Sequence, residues 1–147
     1  MNKLIAKDLM VGDWFNFLID IEGGHTEYDP KNEIYQPMQV RDITSFGIND
    51  GEVSSYEGVV NDIAQLQPIP ITSELLEKNF TYNPYGIYFF DDDYLEVYIK
   101  EYTDGLWRVE VDEIEMSSLP TWRMFVSNVH ELQHALRLAG IDKEIKL

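Results

Sequence analysis

Leu95-Glu96-Val97-Tyr98-Ile99-Lys100, then Asp104-Gly105, then Trp107-Arg108-Val109-Glu110-Val111-Asp112 is the stretch that decides the fold. Leu95, Val97 and Ile99 point one way, and Glu96, Tyr98 and Lys100 the other. Beyond the Asp-Gly turn, Trp107, Val109 and Val111 oppose Arg108, Glu110 and Asp112. Alternation at period two marks strands with one buried and one wet face. The pattern runs from Ile87 to Met116 and reads as a β-meander.

Just upstream, Asn83-Pro84-Tyr85-Gly86 places Pro second and Gly fourth, as a type I turn prefers. A short helix is expected before it, at 73–79. Thr72 is its N-cap, Ile71 packs on Leu76 as a hydrophobic staple, Leu75, Leu76 and Phe80 form the buried edge, and Asn79 stops it. Downstream, 121–126 adds a strand and a second helix follows at about 129–139. Asn128 caps that helix, with Glu131 as capping-box partner. Val129, Leu132 and Leu136 give it an apolar stripe, and Gly140 with Ile141 suits a Schellman ending. In the tail, Ile145 and Leu147 lie two apart, which predicts an edge strand.

The first seventy residues read as short strands between turns. Gly12-Asp13 turns into an aromatic strand, Trp14 to Ile19, and a loop carrying Gly23-Gly24 and Asp29-Pro30 extends from Glu22 to about Tyr35. Met38 to Ile43 and Glu52 to Tyr56 are strands joined through Asn49-Asp50-Gly51, and Asp62 to Ile69 closes the set. The order Gly-Asp-Trp, Val-x-x-Ile, Leu-x-Pro-Ile resembles an SH3-like barrel. The expected fold is therefore α+β: an N-terminal SH3-like antiparallel barrel, a short helix, a β-meander and a C-terminal helix packed on a sheet. It is read as a single domain over 1–147, or as two lobes, 1–70 and 71–147.

Eleven Lys plus Arg against 27 Asp plus Glu give a net charge of −16, which repels phosphate backbones and argues against direct nucleic-acid binding. Such a surface serves solubility or meets a basic partner. With 44% hydrophobic and 13% aromatic residues, the chain has the material for a packed core. It has no Cys, which removes thiol catalysis, thiolate metal sites and disulfides. No apolar run reaches the roughly 18 residues of a membrane span, and Met1 to Met10 lacks a secretory h-region, so a cytoplasmic protein without membrane contact is expected.

His130-Glu131-Leu132-Gln133-His134 matches H-E-x-x-H. On a helix, imidazoles four apart share a face and can bind one Zn²⁺, while the Glu polarises a bound water. A third ligand is not evident: Asp142 and Glu144 follow the stop at Gly140, and His25 lies in the Gly-rich loop. At about 100° per residue, His130 and His134 fall roughly 130–170° from the apolar stripe, toward water, and Glu131 already has a capping task. The match therefore reads as coincidence, with no catalytic, metal or cofactor residue assigned. Asp91-Asp92-Asp93 lacks the Gly and Glu of an EF-hand loop, Glu96 and Tyr102 standing at those positions, and reads as a solvated turn. No P-loop, Gly-x-Ser-x-Gly or Gly-x-Gly-x-x-Gly pattern occurs. Tyr82, Tyr85, Tyr88, Tyr94, Tyr98 and Tyr102 gather around the meander, either as the rim of the core or as an interface.

Three segments carry a resemblance: Ala6 to Trp14, Leu66 to Thr72 continuing through Glu77 to Phe80, and Val129 to Leu138. Together they resemble an uncharacterised family of small proteins from gut anaerobic bacteria and their prophages and mobile elements. The resemblance implies no activity. It implies Gln commonly at the position of Glu131 and Asn at that of His134, which keeps a capped helix and removes a zinc site. The chain departs from it in lacking a Gly between Asn79 and Phe80. The function expected is a non-enzymatic accessory protein that binds another macromolecule, an unknown protein partner, through its acidic surface or Tyr-bearing sheet. The alternatives are a zinc hydrolase using His130, Glu131 and His134, and an acidic nucleic-acid mimic.

Overall fold

The computed structural model describes residues 9–21, 33–45, 51–91, 94–113 and 122–147. Within them the protein is α+β, with two five-stranded antiparallel sheets and two α-helices. It divides into two units, Met1–Ile69 and Pro70–Leu147.

In the first unit, β1 (Trp14–Ile21), β2 (Glu33–Ser45), β3 (Gly51–Ser55), β4 (Val60–Asp62) and β5 (Gln67–Pro68) pair in the order β4-β3-β2-β1-β5. The turn into β1 follows from its residues. Gly12 takes φ +90°, which glycine adopts without a Cβ penalty, and the fully buried Asp13 carboxylate accepts the Met10 amide at 2.7 Å. Strand β2 begins at Glu33, so the end of the expected loop is strand, while 22–32 lie outside the described residues. Bulges fall between Leu18 and Asp20 in the β1–β2 ladder and between Val40 and Asp42 in the β2–β3 ladder, and an extra residue bends its strand. Phe15, Phe17, Val40, Val53, Ile63 and Leu66 belong to the core beneath.

The expected barrel is not completed, because neither sheet closes on itself. One reason is that 62–69 is not a single strand. Asp62 donates its amide to Gln65 Oε1 at 2.8 Å and starts a 3-10 turn, Ile63–Gln65, which leaves only the two-residue β5. Between β1 and β4 a side chain replaces backbone pairing. Buried Asn61 accepts the Leu18 N–H on Oδ1 at 2.7 Å and donates Nδ2 to the Leu18 and Val60 carbonyls at 2.9 and 3.0 Å. One amide gives Leu18 what a neighbouring strand would supply.

The second unit contains α1 (Ser73–Asn79), β6 (Thr81–Tyr82), β7 (Tyr88–Asp91), β8 (Leu95–Thr103), β9 (Leu106–Glu113), β10 (Trp122–Val126) and α2 (Val129–Leu138). Its sheet runs β10-β9-β8-β7-β6. Thr72 Oγ1 accepts the Leu75 amide at 3.2 Å, and Ile71 and Leu76 are both buried, as the staple requires. Asn83 Oδ1 takes the Tyr85 and Ile87 amides at 2.9 and 3.1 Å and fixes the turn between β6 and β7.

The β8–β9 hairpin has a conflict of parity to resolve. Val97, Ile99, Val109 and Val111 are all odd-numbered and must share a face, yet a two-residue Asp104-Gly105 loop pairs Thr103 with Leu106. A bulge corrects the register: the next pair is Glu101 with Trp107, followed by Ile99 with Val109 and Val97 with Val111. Tyr102 is the extra residue and stands 60% exposed.

Helix α2 packs against β10, and the chain before α1 meets its start, with the Ile71 amide on the Ser127 carbonyl at 3.0 Å and Pro70 bridged to Asn128. At its other end Gly140 takes φ +77°, Gly140 N–H reaches the Arg137 carbonyl at 3.0 Å and Ile141 N–H the Leu136 carbonyl at 2.9 Å. These are the two hydrogen bonds of a Schellman ending. The tail is not the expected edge strand. The Asn79 side chain pins it, donating Nδ2 to the Lys146 carbonyl and accepting the Lys146 amide on Oδ1, both at 2.7 Å, while Ile141 and Ile145 are buried. A side-chain amide satisfies the tail backbone, so no strand partner is needed. Trp107 lies in this core with its indole N–H buried and without a hydrogen-bond acceptor among the described residues. No described helix is long and apolar enough to cross a membrane.

Candidate functional site

The H-E-x-x-H residues all lie on α2. Glu131 closes the cap: its Oε1 accepts the Asn128 amide at 3.2 Å, Asn128 Nδ2 at 3.0 Å and the Ser127 amide at 3.4 Å. The expectation that both histidines face water needs correcting. His130 is 5% exposed and His134 half-buried, their rings edge to face with centroids 5.8 Å apart. Gln133 and His130 extend the buried side beyond the Val129, Leu132, Leu136 stripe, and the segment paired to Ser127 and Asn128 flanks this first turn. Apolar spacing reports the stripe and is blind to polar residues buried beside it. A catalytic zinc needs three protein ligands. Among the described residues no group of three or more His, Asp or Glu is placed to hold a metal, and Asp142 and Glu144 are exposed. His25, Asp92 and Asp93 lie outside the described residues.

The wet face of the second sheet gathers more chemistry. Register sets Asp91 opposite Glu96 and Glu96 opposite Asp112, so three carboxylates run in one row across β7, β8 and β9. The next row is Phe89, Tyr98, Glu110 and Arg123; the next is Lys100, Arg108 and Phe125. Arg108 and Arg123 both meet Glu110 Oε1 at 3.0 Å. The face is thus divided, with an acid row at one end and cations toward the other. Tyr98 donates its hydroxyl to Glu96 Oε2. That bond, then burial, then the charges of Glu96, Asp91 and Asp112 push the phenol up to about 12.

The tyrosines do not form one row. Tyr88 is buried against Trp107 and Tyr82, with centroids at 6.2 and 4.9 Å, and so belongs to the core rim. Tyr94 and Tyr102 are 74% and 60% exposed, and Tyr102 meets Phe125 edge to face at 5.1 Å. Sequence reading missed the acid row. Its signal was the even-numbered set Glu96 and Asp112, but only the corrected register brings the two together. No protein-family model, curated protein or solved structure matches this chain.

Proposed function

We propose that the protein is a non-enzymatic accessory protein that binds a basic macromolecular partner, with the wet face of the second sheet as the contact. One observation carries this reading: Asp91, Glu96 and Asp112 stand directly opposite one another across three strands. Like charges so placed destabilise the isolated sheet, and lysines or arginines of a partner would relieve the repulsion. Exposed Tyr94 beside the row supplies contact area with a polar tip. The bulged strands and Asn61 seam of the first unit support a reading of that unit as an SH3-like scaffold. The resemblance to a family from mobile elements fits an accessory role without chemistry of its own.

The test is affinity capture with the wild type and with a Glu96→Lys, Asp112→Lys variant. A basic partner retained only by the wild type, and released as salt shortens the Debye length, supports the proposal. Identical capture by both proteins overturns it. A partner whose basic cleft normally holds nucleic acid would redirect the reading to mimicry.

A further inference from the structure

We infer that the groove between the end of α1 and β7 binds a small aryl carboxylate, at a site that meets the acid row only at Asp91. The groove has a volume of about 450 Å³, and Lys78, Phe80, Thr81, Phe89 and Phe90 line it, with Asp91 as its carboxylate. Small-molecule sites occupy roughly 300–1,000 Å³ and combine apolar walls with a few polar groups. Phe89 and Phe90, both partly exposed, provide apolar surface for an aromatic body.

One lysine lines the groove and two more lie close by, in a chain of net charge −16. Lys78 is on the wall, and Lys143 Nζ sits 4.7 Å from the centre of the Phe90 ring and 5.4 Å from that of Phe80. Lys146 is held nearby, its backbone gripped by Asn79, which also lines the groove. None of the three lysines is in an ion pair with a described residue. Burial and then the charge of Lys146 hold the Lys143 ammonium below the usual lysine range. A ligand carboxylate beside it would offset both effects. Glu96 and Asp112 repel anions along the rest of the acid row, and the lysines here offset Asp91, so charge complementarity favours this corner.

The experiment titrates 2-naphthoate and the neutral 2-naphthalenemethanol into the full chain and follows backbone amide NMR shifts. The expected result is saturable movement at Lys78, Thr81, Phe90 and Lys143, with the carboxylate at least tenfold tighter than the alcohol. Lys143→Met keeps an apolar stem over the rings and should weaken naphthoate at least tenfold, whereas Lys100→Met should leave it unchanged. Lys78→Met, which leaves the tail untouched, repeats the test if Lys143→Met loses its native spectrum, and several-fold weakening is expected. Equal affinity for acid and alcohol, shifts centred elsewhere, non-saturating shifts, or unaltered binding in the lysine variants would overturn the assignment.

Discussion

The two sheets share strand number and antiparallel pairing, but they treat their faces differently. In the first, bulges interrupt both ladders of the long β2, and Asn61 of β4 reaches Leu18 of β1, so the sheet bends around its own core. In the second, the β8–β9 ladder is regular except beside its turn, helix α2 packs on β10, and the alternate face is polar and partly exposed. A sheet that curls uses its apolar face on itself. A sheet whose alternation is regular keeps a polar face, and here that face carries the acid row.

The largest test of this contrast is Asn61→Leu. Removing the amide leaves the Leu18 N–H and carbonyl unmet, and a loss of about 3 kcal/mol is expected in chemical denaturation. A loss below about 1 kcal/mol would show that the seam does not hold the first sheet. Asn79→Ala is next, at about 2 kcal/mol, with faster hydrogen exchange at the Lys146 amide. Undiminished protection there would mean that the tail is fixed by Ile141 and Ile145 alone. Glu131→Ala should cost about 1 kcal/mol by thermal melting, and Glu131→Gln only a few tenths, because Gln also serves a capping box. A large loss with Gln would point to a role for the carboxylate beyond the cap.

The smallest effect lies on the wet face and depends on pH. Tyr98 has a folded-state pKa raised from 10.0 to about 12, so its neutral phenol stabilises the fold fully below pH 10.0 and loses that contribution as pH rises through about 12. Among the tyrosines followed by NMR, Tyr98 should ionise late, and Glu96→Gln should bring its titration back toward 10.0. A Tyr98 that titrates alike in both proteins would separate it from the acid row.

What could be read from sequence was local. The Thr72 cap, the Asn128–Glu131 box, the Gly140 ending and the alternation of β8 and β9 each depend on neighbours within a few residues. The clamps escaped notice because their partners lie 43 and 67 residues apart, and an Asn gives no sign of the backbone it will meet. The acid row was half visible: parity assigned Glu96 and Asp112 to the wet side, but the bulge at Tyr102 hid their pairing. His130 was misplaced because its angle from the Val129, Leu132, Leu136 stripe was weighed without the Pro70–Ile71 segment that flanks the first turn of α2. The groove needed Lys143 of the tail to meet Phe80 and Phe90.

Trp107, buried and without an acceptor for its indole proton among the described residues, has a spectroscopic consequence. Its emission should lie at short wavelength and redden when the second sheet melts. Trp14 opens a strand of the other unit, so a Trp14→Phe protein would let fluorescence report the melting of one half alone.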